Sequence, residues 1–201
     1  MDNQAGARQP YRIVTPPSAA TMACKRAFDF LCSFLGLTVL SPVLLVVSVL
    51  VAVTSPGGVF FRQERIGKDG KPFRIFKFRS MRKDNAGLKI TTGNDSRITP
   101  VGRFLRKSKI DELPQLINVL VGDMSFVGPR PEVADYVNLY TPYQRQVLLV
   151  RPGITGLASI RFRNENDLLT ASDDPNRTYV EQIMPRKIDL DLEYIPHASV
   201  F

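Results

Sequence analysis

One uninterrupted apolar run constrains this chain more than any other feature. From Phe30 to Val53 no charged residue occurs, and Lys25 and Arg26 stand shortly ahead of it. At about 1.5 Å of rise per residue, roughly two dozen helical residues reach about 36 Å, enough to cross a hydrocarbon core of about 30 Å. A soluble helix of that character would need a larger protein around it than 201 residues provide. A cleaved signal peptide has a shorter apolar region nearer the start. The run therefore predicts membrane insertion.

Ser41-Pro42 falls near the middle of the run. Proline removes a backbone donor and kinks a helix at a cost of about 3 kcal/mol. A kinked spanning helix is one reading, because neighbours and serine hydroxyls repair such breaks. A re-entrant hairpin is the other, with arms of about a dozen residues, roughly 18 Å, that just pass the midplane. Both flanks are basic, since Arg62, Arg65, Lys68, Lys71 and Arg74 follow the run. Positive charge marks the cytoplasmic side, and here both ends call for it. No second apolar segment brings the chain back. The residues alone leave both readings open.

The run divides the chain into residues 1–24, 25–55 and 56–201. The first piece is polar, with Pro10, Pro16 and Pro17 and no apolar period, and reads as a flexible tail. The third begins with strand-like pieces, Val59 to Ile66 and Phe73 to Met81, about a Gly67-Lys-Asp-Gly70 turn. Phe73 and Ile75 share one face while Phe76 and Phe78 share the other, a phase slip that predicts a bulge near Lys77 and Arg79. Asp84 to Ser96 reads as a surface loop. Thr99-Pro100 starts a short helix with an N-cap and proline at its first position. Thr141-Pro142 caps another through Leu149. Tyr179, Val180, Ile183 and Met184 make a helical stripe that Pro185 interrupts and Ile188, Leu192 and Ile195 resume.

A formal charge of +8 points to an anionic partner, whether nucleic acid, a lipid surface or a phosphorylated substrate. Cys24 and Cys32 have no framework spacing, so neither a disulfide scaffold nor a zinc site is expected. His197 is the single histidine, which argues against a histidine-based triad or metal cage.

The chemistry concentrates between Lys109 and Pro131. Leu113, Leu116, Ile117, Leu120 and Val121 repeat at helical spacing, Gly122 is placed to end that helix, and Pro114 is tolerable in its first turn. Asp111 and Glu112 then lie at or just before a helix start, where carboxylates and phosphates are favoured. Neighbouring side chains diverge by about 100°, so the two carboxylates can hold different jobs. The bland alternative is a Ser108-x-x-Asp111 capping box with one acidic surface residue. In Phe126-Val-Gly-Pro-Arg-Pro131, two prolines fix the backbone around Arg130, and a held guanidinium suits bidentate phosphate recognition. A structural turn with an incidental arginine fits the same residues.

The wording of these stretches goes further. Asp111-Glu-Leu-Pro-Gln115, Asn118-Val-Leu120 and Gly122-Asp-Met-Ser-Phe-Val-Gly-Pro-Arg-Pro131 resemble the bacterial sugar transferases, monotopic polyprenyl-phosphate phosphoglycosyl transferases of the bacterial inner membrane. Phe61-Arg-Gln-Glu-Arg-Ile-Gly67, Phe76-Lys-Phe-Arg-Ser-Met81 and Arg151-Pro-Gly-Ile-Thr-Gly156 match the family too. The resemblance runs from about Lys25 to Ile195 and thins after Leu157. It implies an α+β, mostly helical fold: a re-entrant membrane helix hairpin broken at Ser41-Pro42, plus a small cytoplasmic catalytic domain with a β-hairpin.

It also implies transfer of a sugar-1-phosphate from a UDP-sugar to polyprenyl phosphate, with release of UMP. Asp111 would be the nucleophile and contact Mg²⁺. Glu112 would assist, through an outer contact to the metal or by deprotonating the polyprenyl phosphate. Lys77, Arg79, Arg106 and Arg130 would hold phosphates. Asp191 aligns with an acidic residue near the family's site, but the local match is weak and the residues themselves read more simply as a surface acid. Arg161-Phe-Arg-Asn-Glu-Asn166 lies where members vary and is the expected seat of sugar specificity. Relatives usually continue past the position of Phe201 into an amphipathic segment. The implied partners are the UDP-sugar, polyprenyl phosphate and the bilayer, with no nucleic acid; a homodimer is compatible. Two other classes fit parts of the sequence: a membrane-anchored basic module that only binds anionic lipid or nucleic acid, and a phosphatase using an aspartyl-phosphate. The first gives no reason for an Asp-Glu pair among cations.

Overall fold

The computed structural model describes residues 13–55, 57–82 and 97–199. The expected loop from Asp84 to Ser96 and the start of the tail lie outside these residues. The rest of the tail is structured. Val14 is buried and donates its N–H to Gln146 Oε1 at 2.7 Å. Helix α1 (Ala19–Thr54) starts within the expected tail, capped by Ser18, whose hydroxyl accepts from Thr21 N at 3.2 Å.

α1 is not interrupted at Ser41-Pro42. Pro42 cannot donate to Thr38 O, and the Ser41 hydroxyl supplies that bond instead, at 2.8 Å. The helix is long and apolar enough to cross a membrane by length and composition. Both its ends nevertheless dock on one domain: Lys25 and Asp29 are buried near its start, while Val47 and Val51 pack on Phe78 and Leu105 near its end.

Strands β1 (Phe60–Ile66) and β2 (Pro72–Phe78) form an antiparallel hairpin in one-to-one register from Phe60↔Phe78 to Ile66↔Pro72. The expected bulge is absent, because both faces of β2 have apolar cover. Ile75 packs with Val119 and Met124, and Phe78 with α1 on the opposite side. Asp69 and Gly70 take left-handed φ values of 57° and 74° in the turn. Helix α2 (Pro100–Ser108) begins as expected, with Thr99 Oγ1 accepting from Gly102 N at 2.9 Å.

Helix α3 (Gln115–Val121) ends at Gly122, whose φ of 98° suits glycine. Its buried face differs from the expected stripe. Gln115, Leu116, Asn118 and Val119 are buried, whereas Val121 is exposed. The reason is a polar staple: Asn118 Oδ1 accepts from Phe76 N and Asn118 Nδ2 donates to Arg74 O, both at 2.9 Å. The free edge of β2 is thereby satisfied by a helix side chain.

Strand β3 (Ser125–Val127) pairs in parallel with β4 (Gly153–Thr155). A Cβ on Gly153 would sit 2.2 Å from Gly128 N, and one on Gly156 2.3 Å from Gly128 O, so these glycines allow backbone-to-backbone contact. Short helices α4 (Ala134–Val137), α5 (Leu157–Arg161), α6 (Glu165–Thr170) and α7 (Pro175–Thr178) lead to α8 (Met184–Tyr194). The Thr141-to-Leu149 helix is a 3-10 turn over Gln144–Leu149, started by reciprocal Thr141–Gln144 bonds. Between α7 and α8, Tyr179–Ile183 forms a π turn just ahead of Pro185. The stripe stays in register across it: Tyr179, Ile183, Met184, Ile188, Leu192 and Ile195 share one core.

Candidate active site

Asp111 and Glu112 lie on a 3-10 turn, Ile110–Glu112, immediately before α3. The chain enters it through Lys109, at φ 60° in the left-handed region that a residue with a Cβ seldom occupies. No Ser108 capping box forms; its hydroxyl donates back to Phe104 O at 2.9 Å instead. The sharp entry turns Asp111 inward and aims Glu112 at β2.

Glu112 is tied to two cations through one oxygen. Its Oε1 accepts from Lys77 Nζ at 2.7 Å and from Arg130 Nη2 at 3.2 Å. Burial pushes its carboxyl up, but the Arg130 and Lys77 charges outweigh burial and hold it at about 2. Lys77 is lowered by burial, with Arg130 adding to the effect against the pull of Glu112.

Asp111 is the opposite case. It is 8% exposed, and its Oδ1 has no hydrogen-bond partner. Burial raises its pKa and Glu112 adds to that, against the charges of Lys77, Arg106 and Lys109. The structure thus brings Lys77 and Arg130 directly to the pair. Arg106 acts on Asp111 through its charge while its Nη1 reaches Met81 Sδ at 3.6 Å. Arg79 turns away along the hairpin, donating to Phe60 O at 3.4 Å.

Asp191 is no surface acid. It is 5% exposed, beside Gly156, and burial pushes it up to about 7 against the backbone amides of Ala158 and Arg130 and the Lys187 charge. Sequence reasoning missed the group that braces this loop. Arg65 Nη1 donates to Pro131 O at 3.2 Å and lies 3.5 Å from Glu132 Oε2, and Tyr179 O–H donates to Glu132 Oε1. The acid directly after the Pro-Arg-Pro run is the available signal; the sequence shows Arg65 only as one of the basic residues that follow the apolar run.

The family model for bacterial sugar transferases matches residues 20–201. The chain belongs to that family. This bacterial sugar transferase is 42% identical over 193 residues to a UDP-glucose:undecaprenyl-phosphate glucose-1-phosphate transferase of Escherichia coli K12, covering 93% of this chain and 39% of that protein. An Aeromonas hydrophila UDP-N-acetylgalactosamine-undecaprenyl-phosphate N-acetylgalactosaminephosphotransferase is 42% identical over 149 residues, 72% of this chain and 35% of its own. An uncharacterized sugar transferase of Bacillus subtilis, 44% identical over 180 residues, is covered over 81% of its length. The chain spans about two-fifths of the E. coli relative.

Among the described residues no three His, Cys, Asp or Glu side chains cluster as a metal cage. A magnesium ion needs no such cage, since it is commonly held by one or two carboxylates together with substrate phosphates and water. The unpartnered, buried Oδ1 of Asp111 is a hard oxygen donor of the right kind, so the residues present fit such an ion.

Proposed function

We propose that this protein transfers a sugar-1-phosphate from a UDP-sugar to polyprenyl phosphate at the bacterial inner membrane, the first membrane step in making a polysaccharide or glycoconjugate. The observation that carries the reading is the contrast at the catalytic turn: an unpartnered buried oxygen on Asp111 beside a Glu112 locked between two cations. Environments that push neighbouring carboxylates apart assign them separate roles.

In this reading an oxygen of Asp111 attacks the phosphorus bearing the sugar. The bridging P–O bond breaks, UMP leaves with its electron pair, and an acyl-phosphate to the sugar remains on Asp111. An oxygen of polyprenyl phosphate then attacks the same phosphorus, restoring the carboxylate and forming the diphosphate. Neither step requires a proton. Charge neutralisation is the main demand of phosphoryl transfer. Lys77 and Arg130 supply it, with Glu112 holding both in place, and Arg106 adds positive charge near Asp111. A carboxyl held at about 2 is a poor base at neutral pH, which favours this holding role for Glu112 over deprotonation of the lipid phosphate. Asp111 would bind Mg²⁺, which supplies further neutralisation on the phosphate oxygens when present.

Docking of both ends of α1 on one domain supports a re-entrant anchor, with the catalytic domain on the cytoplasmic face beside the lipid phosphates. The test is UMP release by the full-length protein in lipid, from a panel of UDP-sugars. One sugar should release UMP and yield a polyprenyl-diphosphate product. Phosphate release to water would indicate a phosphatase, and lipid binding without turnover would overturn the catalytic reading.

A further inference from the structure

The start of the anchor helix is buried against the two segments that carry the site. Lys25, Asp29 and Ser33, spaced four apart, are 6%, 2% and 0% exposed. Lys25 Nζ lies 3.5 Å from Asp29 Oδ2 and donates to Ser125 Oγ. Asp29 Oδ1 accepts from Phe126 N at 3.2 Å. Both contacts fall on β3, which runs directly into the loop bearing Arg130. Arg26 faces the other segment. It donates to Val119 O and, at 2.7 Å, to Leu120 O, carbonyls in the last turn of α3. The opposite end of α3 follows Asp111 and Glu112.

This differs from the part that the sequence gives these charges. A topology-setting flank needs only to be positive and near the membrane surface. Here Lys25 is turned inward, and an acid is buried with it. Stability alone explains the pair poorly, because desolvation offsets much of a buried ion pair's attraction. The other end of α1 shows that apolar contact suffices for docking, with Val47 and Val51 in the interface. What the polar end adds is direction, in bonds to particular groups of β3 and α3.

We propose that Lys25, Arg26 and Asp29 are positioning residues: through β3 and α3 they set the separation between Arg130 and the Asp111–Glu112 pair. The proposal rests on the transfer reading above. It makes the membrane anchor a working part of the catalytic geometry as well as an attachment. A displacement of about 1 Å in such a clamp costs on the order of 100-fold in rate.

The test is a double-mutant cycle in full-length protein reconstituted in lipid, with rates expressed per folded molecule. Asp29→Ala should lower kcat for UMP release on the order of 100-fold. In an Arg130→Ala background the same change should cost less than about threefold, because its effect passes through that arginine. Asp29→Asn keeps an acceptor for Phe126 N–H and should return to within about tenfold of wild type. Equal losses in both backgrounds, or wild-type turnover in Asp29→Ala, would overturn the positioning role. Should Asp29→Ala fail to accumulate, Ser125→Ala enters the same cycle under the same criterion, since it removes only the hydroxyl that Lys25 reaches. A wild type inactive toward every UDP-sugar overturns the transfer reading and this role with it. An active wild type with additive losses overturns this role alone.

Discussion

On one side of the Ile110–Glu112 turn, Glu112 accepts from Lys77 at 2.7 Å and from Arg130 at 3.2 Å; on the other, the adjacent Asp111 keeps a buried oxygen with no partner. Burial works on both carboxylates in the same direction. Two cations overturn it for Glu112, whereas the charges around Asp111 do not, so one pKa falls and the other rises. The contrast teaches that burial alone does not assign a role. The partner set distinguishes them: Glu112 is ion-paired to two cations, whereas Asp111 keeps a buried oxygen that no other group engages, and in the proposed reaction the first holds its partners while the second meets substrate.

The largest expected effect follows from removing the available oxygen. Asp111→Asn should lower UMP release by on the order of 10³-fold or more while leaving the thermal midpoint near wild type. Near-native turnover would collapse the contrast. Glu112→Gln should lose about 100-fold and, unlike Asp111→Asn, should also lower the thermal midpoint, because Lys77 and Arg130 lose their shared anion.

The sign of the pH dependence sharpens that second variant. The Glu112 carboxyl is held below its ordinary 4.5, at about 2. Its contribution to stability is therefore present above about pH 4.5 and lost as pH falls through about 2. Over that window wild type should lose thermal stability more steeply than Glu112→Gln. Asp191 predicts the reverse trend at higher pH. Raised from 3.8 to about 7, it favours the folded state at low pH and opposes it increasingly across that interval. The thermal midpoint of Asp191→Asn relative to wild type should thus be higher at pH 8 than at pH 5. An unchanged difference would mean that Asp191 does not titrate there.

The smallest effect is expected far from both carboxylates. Ser41→Ala removes the hydroxyl bonded to Thr38 O and should cost about 1 kcal/mol or less in thermal unfolding, with kcat within about twofold of wild type. A large drop in kcat would contradict the expectation that Ser41 acts only locally within α1.

Much of the candidate site is legible in the sequence. Asp111, Glu112, Lys77 and Arg130 occupy recognisable words, and the hairpin and α2 carry ordinary turn and cap signals. What escaped has a common cause, because apolar periodicity cannot report a buried polar side chain. Asn118 is buried where the stripe called for an apolar face, since it bonds the edge of β2. Lys25 reads as part of a basic flank, and Asp29 gives no apolar signal at all, until β3 is packed on them. Asp191 shows as buried only once α8 is packed beside Gly156 and α5. The bulge was expected from a phase slip that is simply a strand covered by apolar groups on both faces.

The central claim is that Asp111 carries the phosphosugar, and one measurement tests it most directly. The full-length protein is incubated with a sugar-labelled UDP-sugar in the absence of polyprenyl phosphate, then quenched and mapped. One released UMP and one labelled sugar phosphate per active site are expected, the label attached at Asp111 and absent from Asp111→Asn. UMP release only when both substrates are present, with no adduct to trap, would contradict it.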